Sequence, residues 1–389
     1  MKPNSKIMII YASFGDGHIK AARALLESFT ALGYNNIQLI DLLELTHPRI
    51  NFASRWLYLK SSSYAPKGYG WFYTLTNSTK QSRVSNHIYH SFGKKKMLEE
   101  WNSEKPELII HTFPYLTADE LKFQSGQGVP TLTVITDYVL HSRWLHENTS
   151  HYCVGSDTIK AQMLAAGVPE HKISVTGIPV HSKFFDKEDK AAICDIWGFE
   201  PDRSRVLLMA GAYGVQRSLK LMISTVREET TSDLIVVCGK NKKLRKRLER
   251  EYYNEKRIHV IGYTDKVHEL MTISDCLISK AGGITLTEAL VKNLPTIVFQ
   301  PIPGQEEGNA QFLSGLGVLG IANDKYSLTR ELYNALNLNR NRNMKQASAS
   351  VCFKQSSMRI VEEALKLTGL VEKGSEWTVN ERKAAQIHA

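Results

Sequence analysis

A chain of 389 residues is too long for one ordinary domain, so its length favours two domains of about 150–200 residues each. A composition of 42% hydrophobic and 23% charged residues excludes an intrinsically disordered chain, and no apolar run approaches the roughly 20 residues of a transmembrane helix. The formal charge of +10 favours acidic partners such as nucleic acid, phosphorylated substrates or anionic lipid.

Short apolar runs alternate with amphipathic stretches along almost the whole chain, a pattern typical of βαβ units and parallel sheets. The first series has a helix at Lys20–Leu32 and strands at Ile7–Ala12, Ile37–Asp41, Leu108–His111, Thr131–Thr136 and His151–Val154. The second series has strands at Val206–Ala210, Leu234–Cys238, Ile258–Ile261, Cys276–Ser279 and Thr296–Gln300. Two α/β lobes joined near 177–189, with a cleft between them, are therefore predicted.

We expect domain one to span residues 1–180 and domain two residues 190–352, with a last helix and tail over 353–389. The first strand runs straight into a glycine-rich turn, which is unlike a signal peptide with a cleavage site. A cytoplasmic location follows as an expectation.

Residues 45–98 interrupt the pattern, because this segment has no Asp or Glu but nine Lys/Arg and ten aromatic residues. Basic side chains attract anionic head groups, and Trp and Tyr favour the membrane interface. Two alternatives are an insertion whose aromatic residues are core and a surface for single-stranded nucleic acid. Membrane docking is the preferred interpretation, and the expected docking residues are Arg49, Arg55, Trp56, Lys60, Trp71, Phe72, Lys94, Lys95 and Lys96.

The motif SFGDGH, residues 13–18, lies between the first strand and the first helix, at the sheet edge where ligands collect in open α/β folds. It is not a dinucleotide fingerprint, because Lys20 stands where the third glycine belongs. A tight turn at Gly17 would place the imidazole of His18 at the mouth of the cleft, where it could take a proton from an attacking hydroxyl. The alternative is a histidine that only hydrogen-bonds the turn.

The motif SKAGGITLTEAL, residues 279–290, follows a strand and begins a helix. Its two glycines and the N–H groups of the helix start suit a diphosphate, and the absence of a G-K-[ST] sequence disfavours a P-loop NTPase. Glu288, about one turn in, could accept hydrogen bonds from ribose hydroxyls, or it could simply stabilise the helix start. One unit later, the Gln, Glu and Asn side chains of PIPGQEEGN could contact several hydroxyls of a sugar, although alone this segment is just a polar loop before a helix.

Two further loops are weaker candidates for ligand binding. The loop MAGAYG, residues 209–214, has small residues and could close over phosphate or be a plain turn. Asp137 and His141 follow the fourth strand of domain one and could orient each other or a substrate, but two such residues are too few for a metal site. No Asp-x-Asp lies beside a strand, so we expect neither a metal nor another cofactor.

Together these motifs resemble the diacylglycerol β-glycosyltransferases, namely the bacterial processive diacylglycerol glucosyltransferases and the monogalactosyldiacylglycerol synthases. The likeness runs from SFGDGH through TDYVLHSRW, TGIPV, MAGAYG, VCGKN, IGYTD and KAGGITLTEAL to PIPGQEEGNA. It implies a GT-B fold, an α/β class with two Rossmann-like domains facing across a cleft and a C-terminal helix that crosses back to domain one. Inverting transfer of a hexose, glucose by preference, from UDP-sugar to 1,2-diacylglycerol is the activity it implies, at the inner face of the plasma membrane.

The resemblance also implies roles for single residues. His18 matches the base, Glu288 the ribose contact, and Asp137, His141 and Trp144 the acceptor side. The expected donor contacts are Gly17, Gly211, Tyr213, Gly262, Tyr263, Gly282, Gly283, Ile284, Thr285, Gln305 and Glu306. The alternatives left open are a UDP-galactose-dependent synthase, N-acetylglucosaminyl transfer to a polyprenyl-linked acceptor, a UDP-sugar epimerase and a basic nucleic-acid-binding protein.

Overall fold

The computed structural model describes residues 4–13, 16–46, 77, 87, 89–91, 93–125, 128–211 and 218–369. These residues form two compact units: the first takes the chain up to Ser182 together with the part from Phe353 onward, and the second takes Lys183–Cys352. Each unit is built on its own parallel six-stranded sheet. Within the described residues, no helix combines the length and the apolar character that crossing a membrane requires.

The strands of the first unit are short aliphatic runs, such as IMIIY, that lie buried between helices on a parallel sheet. On its helix α1, the side chains of Ala22, Leu25 and Phe29 pack in the same core as Ile7 and Ile9. The elements are β1 (Ile7–Tyr11), α1 (Asp16–Ala31), β2 (Ile37–Asp41), α2 (Leu42–Thr46), α3 (Lys94–Glu104), β3 (Leu108–His111), α4 (Thr117–Ser125), β4 (Thr131–Val134), β5 (His151–Val154), α5 (Asp157–Ala165) and β6 (Ile173–Val175). Short 3₁₀ turns lie at Ser142–Trp144 and Glu170–Lys172.

The second unit repeats the alternation, with hydrophobic clusters on both faces of its sheet. After a 3₁₀ turn at Ser182–Phe184, its elements are α6 (Lys190–Trp197), β7 (Arg205–Met209), α7 (Leu219–Glu229), β8 (Asp233–Val237), α8 (Lys242–Glu251), β9 (Ile258–Ile261), α9 (Val267–Ile273), β10 (Cys276–Ser279), α10 (Gly283–Val291), β11 (Thr296–Phe299), α11 (Gln305–Gly315), β12 (Leu319–Ala322), α12 (Lys325–Leu336) and α13 (Leu338–Val351).

The last helix of the described chain, α14 (Ser356–Leu367), belongs to the first unit. Its residues Ile360, Val361 and Ala364 are buried in the core that holds β1 and α1. The Ser356 hydroxyl donates to the Ile178 carbonyl at 2.8 Å, and a Cβ on Gly177 would meet Phe353 at 2.5 Å. The chain therefore returns to the first unit after completing the second.

All ten predicted strands are present, with ends that differ by at most two residues. Two strands were missed, β6 and β12. β6 is only three residues long, and β12 contains Gly320, so neither gives the apolar β-branched run that identifies a strand. Both are edge strands of their sheets.

Candidate active site

Strand order places one switch point in each sheet. The first sheet runs β2-β1-β3-β4-β5-β6, so the chain leaves β1 to one side and returns to pair β3 on the other. The second runs β12-β11-β10-β7-β8-β9, which puts the switch between β7 and β10. Ligands of open α/β sheets bind beyond the carboxyl ends of strands at such points. Ligand-binding and catalytic residues are therefore expected in the loops after β1, β3, β7 and β10.

In the first unit, His18 lies in the opening turn of α1, at this switch point. Its Nδ1 is 2.8 Å from the carbonyl oxygen of Thr112, the residue that follows β3. The Thr136 hydroxyl, beyond β4, lies 3.2 Å from the same nitrogen. The ring of Phe113 meets the imidazole edge-on with centroids 4.8 Å apart. Three neighbouring strand ends thus fix the position of this ring.

The Thr112 contact sets the tautomer of His18. A carbonyl oxygen can only accept a hydrogen bond, so Nδ1 carries the proton and donates it, and Nε2 of the neutral ring keeps its lone pair. Burial lowers the pKa of His18 below its ordinary value, while the Asp137 carboxylate and the Thr112 carbonyl oppose that shift. The ring is therefore neutral at physiological pH, with Nε2 as a proton acceptor.

The predicted acceptor-side residues follow β4. Asp137 is buried and is the carboxylate that raises the pKa of His18 against the effect of burial. His141 accepts at Nδ1 from the Arg143 N–H (3.1 Å) and so caps the turn Ser142–Trp144. Trp144 is only 2% exposed and packs with Ile135 and Tyr152, with its ring centroid 6.4 Å from that of His18. Asp137 and Trp144 thus surround the imidazole, while His141 shapes the turn beside it.

A second polar cluster in this unit joins His87, Glu120 and His146, whose side-chain ligand atoms all lie within 4.8 Å of one another, as in a candidate metal site. However, the Asn148 N–H donates to Nδ1 of His146 at 3.2 Å, so the neutral ring carries its proton on Nε2. That nitrogen lies 3.2 Å from Glu120 and donates to it. A metal ion at Nε2 would have to displace this hydrogen bond and move the proton to Nδ1, where it would face the Asn148 N–H, so we interpret the arrangement as a hydrogen-bonded cluster that ties His87 to α4.

The predicted docking segment is only partly described. Arg49, Arg55, Trp56, Lys60, Trp71 and Phe72 lie outside the described residues. Lys94, Lys95 and Lys96 form the first turn of α3, where Lys95 is exposed and Lys96 pairs with Glu99 at 3.1 Å. Membrane docking by this segment stays a prediction.

In the second unit, α10 begins directly after β10 without a capping side chain. Its N-cap is Gly282, so the backbone N–H groups of Gly283, Ile284 and Thr285 form the open end of the helix. These amides and the helix dipole suit an anion. Glu288, one turn further, is 2% exposed and lies on the buried side of the helix. The N-terminus of α10 therefore has the free N–H groups that a diphosphate site requires.

Lys280 connects three loops of this unit. Its Nζ lies 2.7 Å from Oε1 of Glu306, in the first turn of α11. Its aliphatic chain passes Gly211, where the backbone has φ +77° and an added Cβ would lie 3.5 Å from Lys280 Cδ. Nearby, the buried Asn309 amide donates to the Ala281 carbonyl at 3.1 Å. The ion pair therefore holds the predicted sugar-contacting loop beside the start of α10, the predicted diphosphate site.

The other expected donor contacts lie in neighbouring loops. Gln305 opens α11, next to Glu306. Gly262 and Tyr263 follow β9, where the Tyr263 ring is 57% exposed and has the Lys240 ammonium 5.2 Å from its centroid. Gly17 lies in the first turn of α1, in the first unit. Tyr213 lies outside the described residues.

Three residues of the candidate site were not predicted from the sequence. Thr112 and Phe113 lie in no motif, and only the pairing of β1 with β3 brings them to His18. Lys280 stands within the motif SKAGG, where a positive charge beside a phosphate-type helix start was the available signal.

Two parallel sheets with these strand orders are the architecture of the GT-B class, which confirms the predicted fold class. MurG of Acinetobacter baumannii is 12% identical, with a TM-score of 0.58 over 93% of this chain and 99% of that one. The UDP-GlcNAc 2-epimerase of Neisseria meningitidis, bound to UDP-GlcNAc, is 15% identical, with a TM-score of 0.58 over 93% of this chain and 100% of that one. At these identities the likeness concerns the fold alone.

The sequence comparisons are more specific. Residues 18–180 match the family described as monogalactosyldiacylglycerol (MGDG) synthase, and residues 205–365 match the glycosyltransferase family 28 C-terminal domain. The processive diacylglycerol beta-glucosyltransferase of Bacillus subtilis (strain 168) is 34% identical over 83% of this chain and 85% of its own. That of Bacillus pumilus (strain SAFR-032) is 32% identical over 95% of this chain and 97% of its own. The chain belongs to the family of the processive diacylglycerol β-glucosyltransferases, as its motifs predicted.

Proposed function

We propose that the protein transfers a hexose from UDP-sugar to the free hydroxyl of 1,2-diacylglycerol with inversion, and that the hexose is glucose. The observation that carries the proposal is the match, over 83–95% of the chain, to relatives named for this transfer. The site chemistry agrees: a neutral imidazole is fixed at one switch point and an uncapped glycine-rich helix start at the other.

The first unit supplies the base. Nε2 of His18 takes the proton of the acceptor hydroxyl while that oxygen attacks the anomeric carbon, and the other proton stays on Nδ1, which donates it to the Thr112 carbonyl. The imidazolium that forms is stabilised by Asp137, whose charge favours the protonated ring. One direct displacement inverts the anomeric carbon, so an α-linked UDP-glucose gives a β-glucoside.

The second unit supplies the donor site. The leaving UDP carries the developing charge, and the N–H groups at the start of α10 stabilise it through preorganised dipoles. Lys280 adds a positive charge to this region. We propose that these groups replace the metal ion that other glycosyltransferase architectures place on the diphosphate, so that no cofactor is required.

The proposal is tested by incubating the protein with diacylglycerol vesicles and UDP-glucose, UDP-galactose or UDP-N-acetylglucosamine, each with and without EDTA. We expect β-glucosyldiacylglycerol, identified by mass and anomeric NMR, at rates that EDTA leaves unchanged. Preference for UDP-galactose would make the protein a galactosyltransferase. Conversion of the donor without lipid product would contradict transfer and favour an epimerase.

Lys280→Met is expected to raise the KM for the UDP-sugar about 10- to 100-fold, because it removes a charged hydrogen bond and leaves the Glu306 carboxylate unpaired, 9% exposed. Lys280→Arg should recover much of the loss, since a guanidinium can still pair with Glu306. Initial rates against donor concentration measure the effect, and thermal denaturation checks the fold. An unchanged KM in Lys280→Met would show that the ion pair has no part in donor binding.

A further inference from the structure

Helix α8 in the second unit has an unusual distribution of charge. Six of the nine residues 242–250 are basic and exposed, and five of them lie on one side of the helix, namely Lys242, Lys243, Lys246, Arg247 and Arg250. At about 100° per residue, positions i, i+1, i+4, i+5 and i+8 fall within an arc of about 140°. The two buried residues of the helix, Leu244 and Leu248, lie on the opposite side, in the core of the unit. We call the five residues the basic face of α8.

The acidic residues of α8 do not neutralise this face. Glu249 lies at the edge of this face and pairs with Arg245 at 2.6 Å, and Glu251 pairs with Lys220 of α7 at 2.9 Å. Among the residues that the structure describes, none of the five cations makes an ion pair. About five positive charges therefore lie along roughly 12 Å of helix.

This arrangement is unfavourable for the helix itself. Lys242 and Lys246, like Lys246 and Arg250, repel each other at a spacing of i,i+4. Lys242 and Lys243 also stand in the first turn, where the helix dipole disfavours positive charge. Local features that oppose folding stability concentrate at functional surfaces. One residue past the C-cap, the ring of Tyr253 is 86% exposed, and Tyr favours the interface between water and lipid.

We propose that the basic face of α8 binds the surface of a bilayer that contains anionic phospholipids. A dense row of cations on one side of a helix is complementary to a layer of phosphate-bearing head groups. This surface belongs to the second unit and is separate from the predicted docking segment of residues 45–98. The proposal deepens the proposed function and rests on it, because the diacylglycerol acceptor is the reason for the protein to meet a membrane. It adds a lipid-binding surface on the second unit.

The test compares two full-length variants with equal net charge. The first neutralises one row of the basic face, Lys242→Gln, Lys246→Gln and Arg250→Gln. The control removes three exposed cations from elsewhere in the second unit, Lys187→Gln, Lys325→Gln and Arg342→Gln. Each is measured for co-sedimentation with vesicles of equal parts phosphatidylglycerol and phosphatidylcholine, with phosphatidylcholine vesicles, and for binding to single-stranded poly(U) RNA. Circular dichroism confirms that both variants fold.

Each cation near an anionic surface contributes roughly fivefold to partitioning, so the α8 variant should bind anionic vesicles on the order of 100-fold more weakly than the wild type. The control should bind within a few-fold of it. Equal binding by the two variants would overturn the proposal. So would an α8 variant that lost RNA binding but kept vesicle binding, since the face would then serve a nucleic acid.

A transfer assay with diacylglycerol in nonionic detergent micelles separates this proposal from the proposed function. Because these micelles carry no charge, the α8 variant should be as active there as the wild type. If the wild type itself makes no glycolipid in micelles or vesicles, the proposed function fails, while the vesicle-binding result still decides whether α8 is a lipid surface.

Discussion

Replacing His18 by alanine is expected to lower kcat for hexose transfer by about 100- to 10,000-fold, the usual contribution of a general base. UDP affinity should stay nearly unchanged, because the proposed diphosphate contacts at the start of α10 lie in the second unit. His18→Asn is the sharper variant: its amide N–H can still donate to the Thr112 carbonyl, but the side chain has no basic nitrogen. Steady-state assays measure kcat of both variants, and calorimetric titration measures their affinity for UDP.

Exposed His171, outside the site, provides the matched control, and His171→Ala should have wild-type turnover. Near-normal turnover by His18→Asn with the fold intact would show that the imidazole only supports the turn, the alternative that the sequence left open.

The same residue determines the expected response to pH. The base must be neutral, and burial lowers the pKa of His18, so the neutral ring persists below its ordinary titration range. The acid limb of kcat/KM should therefore lie below pH ~6.5, with activity lost as the pH falls further. Asp137→Asn removes the charge that raises this pKa and should move the limb to still lower pH. A limb at higher pH in Asp137→Asn would contradict the assignment.

Gly282→Val should lower kcat/KM for the UDP-sugar by about 100-fold while leaving the fold intact. Gly282 has ordinary dihedral angles, φ −74° and ψ 130°, and an added Cβ would meet no atom within 4 Å. Folding therefore does not require glycine here, and the space beside its Cα is available to a ligand. A valine side chain would displace a diphosphate by an ångström or more, a shift that costs on the order of 100-fold in kcat/KM.

Gly315→Val is the matched control, because an added Cβ there also meets nothing and the residue lies at the end of α11. Both variants should melt like the wild type, and only Gly282→Val should lose UDP binding in calorimetry. A Gly282→Val protein that bound UDP normally would place the diphosphate elsewhere.

The sequence predicted the elements and the motif-bearing loops well, because buried parallel strands are continuous aliphatic runs and each motif stands directly after one. His18, Gly282 and Glu306 were proposed as site residues in this way. The partners of these residues were not, because they depend on strand order. The contact between His18 and Thr112 joins residues 94 positions apart and exists only because β3 pairs with β1.

The basic face of α8 was also missed, for a different reason. In the linear sequence KKLRKRLERE the cations are interrupted by leucines and acids, and the segment resembles an ordinary solvated helix. The three-dimensional pairing of Glu249 and Glu251 with other cations is what leaves one side uncompensated.

Helix α14 has a consequence for biosynthesis. The core of the first unit requires Ile360, Val361 and Ala364, which leave the ribosome after the whole second unit has been made. Domains ordinarily fold in the order of their synthesis, N-terminal first. Here the order is inverted: the second unit can complete its sheet on the ribosome, while β1 and α1 wait for nearly the entire chain. A premature stop before Ser356 would therefore release a protein whose first half has an open core.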